Sequence, residues 1–193
     1  MRALVPSPAA PMREKPQLLN AVTLARTRLF HVQQVELRFS NGVETRYERL
    51  VGSGRGAVLI VPLLDDDTVL LIREYAAGTD RYELGLPKGR IEEQEELMVA
   101  ADRELKEEVG YGGREFHHLT SLSVAPGFLG AFTHVVIARD LYPERLPGDE
   151  PEEIEVVPWS LSRLPALLAR EDFTEARSIA ALFLTREWLS HAR

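Results

Sequence analysis

The sequence predicts an α/β fold, a sandwich built on a mixed sheet, preceded by a small N-terminal β-hairpin unit. Three observations carry this. Strand-like and helix-like segments intermingle without strict alternation, which favours a mixed sheet over a doubly wound one. Asn41-Gly42 separates two β-prone runs, and both residues tolerate the positive φ of a tight hairpin. Leu97, Ala101, Leu105 and Val109 recur every fourth residue, the buried stripe of an amphipathic helix.

Taken in order, residues 1–17 are rich in Pro and Ala and predict a disordered tail, because proline removes backbone donors and restricts its neighbours. Between Leu29 and Val51 the pattern is strand-like, with Val32, Val35, Leu37 and Phe39 before the Ser40-Asn41-Gly42 turn and Val43 to Tyr47 after it. Gly52-Ser53-Gly54-Arg55-Gly56 is a flexible joint. It suggests an N-terminal β unit over 18–54 and a main domain over 55–193. Residues 57–64 and 68–73 predict two buried strands around an Asp65-Asp66-Asp67 turn, and 116–124 and 132–139 two more. An acidic loop, Pro147 to Glu153, leads to a strand at 154–159 and helices at 161–170 and 174–191.

Composition narrows the function. The 193 residues are 45% hydrophobic and 27% charged, ordinary for a globular chain with a real core. Net charge is −7, from 23 basic and 30 acidic residues, which argues against nucleic-acid binding because no basic excess exists to replace condensed counterions. Small anionic substrates stay open, since a bound cation reverses the local field. With no cysteine, thiol chemistry and zinc ribbons are excluded. No apolar run approaches the ~20 residues that cross a bilayer, and the proline-broken start does not read as a signal peptide. The expectation is a cytoplasmic protein without a membrane partner.

The segment 89–111 concentrates the chemistry. Glu104, Glu107 and Glu108 share one helix face beside the apolar stripe, as ~100° per residue dictates. Like charges so placed weaken an isolated helix, and a bridging cation turns repulsion into attraction. Oxygen-only ligands favour Mg²⁺ or Mn²⁺. A solvated acidic face is the competing reading, and it suits Glu92, Glu93 and Glu96. Arg103 can hold a carboxylate bidentately, with Glu95 the candidate partner, and Gly110 suits a left-handed cap.

Gly89, Glu95 and the run Arg103-Glu104-Leu105-Lys106-Glu107-Glu108-Val109-Gly110 resemble the Nudix signature. Only Tyr111 departs, standing where an aliphatic residue is usual. Pro126 downstream, Tyr82-Glu83-Leu84-Gly85 and Gly148-Asp149-Glu150-Pro151 are similar to the branch that hydrolyses ADP-ribose and related ADP compounds. The absence of cysteine sets the chain apart from the zinc-containing NADH-specialised branch, and nothing in it resembles the extra motif of coenzyme A pyrophosphatases.

The resemblance implies an α/β/α sandwich and Mg²⁺-dependent hydrolysis of the pyrophosphate linkage in ADP derivatives, with Mn²⁺ as a possible substitute. It implies Glu104 and Glu108 as metal ligands, Glu107 sharing or orienting, and the Lys88 carbonyl as a further ligand. Gly89, Glu95, Arg103 and Pro126 are then structural. The general base is expected from the acidic loop, Glu150 first, with Glu152 as the next candidate or a metal ligand. Related enzymes are dimers with swapped N-terminal hairpins, so a homodimer is expected.

Adenine needs an aromatic or guanidinium platform and phosphates need cations, which makes Phe30, Arg49 and Arg73 substrate candidates, although Phe30 reads first as core. Three alternatives stand beside hydrolysis of ADP compounds. One is a binding-only Nudix-fold module, which typically loses box carboxylates that this chain keeps. Another is a Nudix hydrolase specialised for a different nucleoside diphosphate sugar. The third, a calcium-binding acidic domain, lacks the required loop pattern.

Overall fold

The Asn41-Gly42 turn does what its residues permit: Gly42 takes φ +80°, and Asn41 Oδ1 accepts the Val43 N–H at 3.1 Å. In the computed structural model, which describes residues 13–52, 54–148 and 150–191, this turn joins β2 (His31–Arg38) to β3 (Glu44–Val51), with β1 (Gln17–Arg26) on the far side of β2. Residues 1–12 of the expected tail, Ser53 of the joint and Asp149 of the acidic loop lie outside the described residues.

The chain divides into two compact units, one ending at Val51 and including Gly127–Gly130, the other formed by Gly52–Pro126 and Ala131–Arg193. In the first unit, the short strand Leu129–Gly130 (β9 in chain order) pairs in parallel with β3, giving the order β1-β2-β3-β9. β1 was invisible to the sequence pattern. All ten of its residues are exposed, so no buried face imposes a period-two alternation on it.

In the second unit the strands are β4 (Ala57–Pro62), β5 (Thr68–Ala76), β6 (Arg81–Gly85), β7 (Lys88–Arg90), β8 (Tyr111–Ser123), β10 (Phe132–Pro143) and β11 (Glu155–Ser160). They form two sheets, β7-β4-β10-β8 with a parallel β4–β10 pair, and the antiparallel β11-β5-β6. Although adjacent in sequence, β4 and β5 lie in different sheets, joined by a Leu63–Val69 bridge. The Asp65 carboxylate shapes their turn by accepting the Asp67 and Thr68 N–H groups.

The apolar runs in β4, β5 and β10 are continuous because both faces are covered. Leu59, Val61, Val69, Leu71, Val135 and Ile137 join one core, completed by Leu164 and Leu167 of α2 (Leu164–Leu168) and by Ala181 and Leu182 of α3 (Ala176–His191). Their alternates Val58, Ile60, Leu70, Ile72, Val136 and Ala138 join the other, completed by Ala100 and Ala101 of α1 (Leu97–Glu104). Period-two alternation thus feeds helices on both sides, giving the expected α/β/α sandwich on mixed sheets.

The acidic helix differs from the expected regular one. After α1 the chain makes a π-helical turn, Leu105–Val109, closed by Gly110 N–H to Leu105 O at 3.2 Å and capped by Gly110 at φ +80°. Leu105 and Val109 stay buried across it, and the wider turn places residues four apart more nearly above one another. Among the described residues no helix is long and apolar enough to cross a membrane.

Candidate active site

The site begins with a missing side chain. A Cβ built on Gly89 stands 1.9 Å from the Glu104 carboxyl carbon and Oε1, so only glycine leaves the Glu104 carboxyl group where it stands. Next to it, the Lys88 N–H donates to Glu108 Oε2 at 2.9 Å. Both carboxylates are sunk, Glu104 being 8% and Glu108 3% exposed, although each belongs to a residue type that seldom lies inside.

Arg103 ties this together. Its Nε and Nη2 donate to the two Glu95 oxygens at 2.8 and 3.0 Å, a bidentate pair joining loop to helix. Nη1 reaches Glu104 Oε1 and Glu107 Oε2 at 2.8 and 2.9 Å, and Nη2 also donates to the Arg90 carbonyl. The hydrogen bonds from Arg103 hold the Glu95 carboxyl below its ordinary range. Glu95 Oε2 also accepts the Glu92 N–H, closing the loop in which Gln94 adopts φ +67°.

Burial pushes the Glu108 carboxyl up to about 8, with the Lys88 N–H opposing and Glu104 and Glu74 adding to the shift. Burial also raises Glu104, with Arg103 opposing and the carboxylates of Glu107 and Glu150 adding to it. Two carboxyls held uncomfortable as anions, side by side, suit a hard divalent cation. Among the described residues no three acidic or histidine side chains converge tightly enough to cage an ion alone.

These groups line a cleft of about 1060 Å³ together with Arg55, Glu74, Lys88, Arg90 and Glu107. Pro147, Gly148 and Glu150 of the acidic loop close one side. Glu92 and Glu93 are exposed on the rim, while Glu96 is exposed outside the lining. Glu152 is likewise outside the lining, its Oε1 accepting the Tyr82 hydroxyl at 2.5 Å.

Other sequence candidates fall elsewhere. Arg73 is no cleft residue: its guanidinium is taken by Glu155 at 2.8 Å and by Asp172. Phe30, in the first unit, is 51% exposed and not core, and Arg49 there donates to Gln33 Oε1. Pro126 sits exposed in the turn after β8. Arg55, Glu74 and Arg90 also line the cleft, and no sequence pattern points to them. Arg55 reaches the cleft through a bond to the Glu95 carbonyl at 3.0 Å, and nothing in its Gly-rich surroundings signals that.

Residues 54–182 match the NUDIX domain model, and residues 16–49 the NudE-type Nudix hydrolase N-terminal domain. The chain is a Nudix hydrolase. It is 52% identical to ADP compounds hydrolase NudE of Escherichia coli (strain K12), over 91% of this chain and 94% of that one. It is 27% identical to ADP-ribose pyrophosphatase of Bacillus subtilis (strain 168), over 85% and 91%. A crystal structure of ADP compounds hydrolase superposes with a TM-score of 0.88 at 50% identity, covering 95% of this chain and 98% of that one. Nudix hydrolases use divalent metal ions and act on small nucleotide-derived substrates, and the paired buried carboxylates of this one fit that chemistry.

Proposed function

We propose that this Nudix hydrolase cleaves the pyrophosphate linkage of ADP-ribose and related ADP derivatives, diadenosine oligophosphates and NADH among them, to AMP and a phosphorylated remainder, with Mg²⁺ as its ion. The observation that carries this is the pair of buried carboxylates, Glu104 and Glu108, opening into a cleft that also presents Arg55, Lys88 and Arg90. The printed activities of the relatives, ADP compounds hydrolase and ADP-ribose pyrophosphatase, support the choice of substrate.

Glu104 and Glu108 would hold Mg²⁺, with Glu107 and the Lys88 carbonyl completing the protein's share. Bound there, the ion neutralises the diphosphate, polarises phosphorus and acidifies a water. The residues do the rest. Arg103 keeps Glu104 and Glu107 oriented while it clamps Glu95. Glu150 takes the proton of the attacking water, whose oxygen joins phosphorus as the bridging P–O bond breaks and the second phosphate leaves with that bond's electrons. A carboxylate on a loop beside the ligands suits a general base.

The same reading includes a cytoplasmic homodimer. The exposed apolar side chains of the first unit, Leu18, Val22, Leu24 and Phe30, are the surface a second copy would cover, with Phe30 or Arg49 serving the neighbouring copy's substrate. Light scattering of a fully active monomer would end that part of the reading.

A side-by-side assay of ADP-ribose, diadenosine triphosphate, NADH and GDP-mannose tests the substrate. The expected result is Mg²⁺-dependent AMP release from the first three and at least ~10-fold lower kcat/KM on the last, about the worth of one hydrogen bond. Preference for GDP-mannose would assign the site to another nucleoside diphosphate sugar. Tight binding of ADP-ribose without cleavage would make the chain a binding module.

A further inference from the structure

Glu150 and Glu152 flank Pro151 and face different partners. Glu150 lines the cleft with Glu104, Glu107 and Glu108. Glu152 lies outside that lining, in an adjoining hollow that it shares with Glu107 and Glu150, and accepts the Tyr82 hydroxyl at 2.5 Å. Tyr82 stands on β6, which the mechanism does not otherwise use. Its ring packs edge-on against Tyr75 of β5 at 5.6 Å between centroids. The Tyr75 hydroxyl in turn donates to Asp80 Oδ1 at 2.6 Å, in the turn before β6 where Asp80 holds φ +55°. The Tyr82 hydroxyl is therefore presented from a framework fixed at several points.

The other end of the loop is tied to the helix that carries the carboxylates. The Leu146 N–H donates to the Lys106 carbonyl at 3.2 Å, and Lys106 Nζ pairs with Glu144 at 2.7 Å and Asp102 at 2.8 Å. Between Glu152 and Glu150 stands one residue, Pro151, whose ring fixes its own φ and narrows the choices of the residue before it. An anchor on Glu152 is thus passed to Glu150 through a stiff link.

We propose that Tyr82 is a positioning residue for hydrolysis: through Glu152 its hydroxyl sets the acidic loop so that Glu150 faces Glu104, Glu107 and Glu108. Glu152 is then an acceptor for this bond and neither base nor metal ligand. The inference rests on the reading of Glu150 as the base. It matters because misplacing a catalytic group by about 1 Å costs up to ~10²-fold in rate.

The test is steady-state kinetics with ADP-ribose and Mg²⁺ on the full chain, for Tyr82→Phe, Glu152→Ala, Glu152→Gln, Tyr82→Phe/Glu152→Ala and Glu150→Gln, with melting temperatures alongside. Tyr82→Phe and Glu152→Ala should each lower kcat about 10-fold, the worth of one hydrogen bond to a charged group, with KM and melting temperature nearly unchanged. The double variant should be no slower than either single one, because both remove the same bond. Glu152→Gln keeps an acceptor for the hydroxyl and should recover most of the rate at an unchanged Mg²⁺ requirement. If Glu150→Gln is crippled while Tyr82→Phe turns over normally, the positioning role is wrong and the base assignment stands. If Glu152→Gln instead raises the Mg²⁺ requirement, Glu152 is a ligand and the inference fails. If Glu150→Gln keeps a normal rate, the base assignment fails and takes this inference with it.

Discussion

The Glu104 carboxyl group occupies the space that a side chain on residue 89 would need, with 1.9 Å separating it from a Cβ built on Gly89. Gly89→Ala therefore has to displace either the β7 backbone or Glu104. Glu104 is the one that can move, at the expense of its bond to Arg103 and its place beside Glu108. The expected outcome is a folded protein whose kcat/KM drops by ~10² or more, the scale of a roughly 1 Å misplacement, and whose Mg²⁺ requirement rises. Near wild-type kinetics for Gly89→Ala would show that Glu104 need not sit where it does.

Arg103 makes its bonds through a planar fork that lysine lacks. Arg103→Lys keeps the charge but can satisfy only part of the Glu95, Glu104, Glu107 and Arg90 set. Leaving partly buried acceptors unmatched costs about 1–3 kcal/mol, or several degrees of melting temperature in a chain this size. Thermal unfolding checks the stability, and an Mg²⁺ titration of activity checks the ligand geometry. A variant with unchanged melting temperature would mean that Glu95 and Glu104 hold their places without it.

Much of this was legible in the sequence, and the exceptions have physical causes. The cleft carboxylates were readable because charge at helical spacing beside an apolar stripe is a pattern in one dimension. The hairpin was readable because Asn41-Gly42 is a local conformational demand. The π-helical turn was not, since Leu105 and Val109 are buried in either helix type and the apolar spacing cannot tell them apart. β1, β6 and β7 escaped because strands that are exposed or very short carry no alternation. Arg73 was unreadable for a different reason: its guanidinium pairs with Glu155 and Asp172, 82 and 99 residues further along the chain, and no local pattern shows such partners.

That cluster has its own pH signature. Hydrogen bonds from Arg170, and from Arg73 against the opposing effect of burial, hold the Asp172 carboxyl well below the usual carboxylate range. A depressed folded-state pKa contributes stability that is complete above the unfolded value near ~3.9 and is lost as pH falls below it. Asp172→Asn should therefore melt lower than wild type at pH 7, with the gap narrowing below about pH 4. Calorimetry between those limits reads it, and a constant gap would mean that Asp172 ionisation does not stabilise the fold.

Gln94 holds φ +67° in the loop that Glu95 closes, a conformation that costs a side chain about 1 kcal/mol or more. Gln94→Gly removes that penalty but adds freedom to the unfolded chain. The two effects nearly cancel, so the expected change in unfolding free energy is within about 0.5 kcal/mol of zero. Gln94→Val should be clearly destabilising, because a β-branched residue resists positive φ. Denaturant unfolding of the two variants compares them, and equal losses would place no demand on the backbone at this position.

Titrating Mn²⁺, as a spectroscopic stand-in for Mg²⁺, into wild type, Glu104→Gln and Glu108→Gln tests the central claim most directly, by electron paramagnetic resonance with ADP-ribose pre-mixed and quenched at short times. Wild type should bind the ion and release AMP, and each variant should lose at least ~10-fold in ion affinity, the scale seen when a metal's protein contacts are disturbed, with AMP release falling in step. If both variants bind Mn²⁺ and release AMP as wild type does, Glu104 and Glu108 are not where the ion sits, and the account of this cleft is wrong.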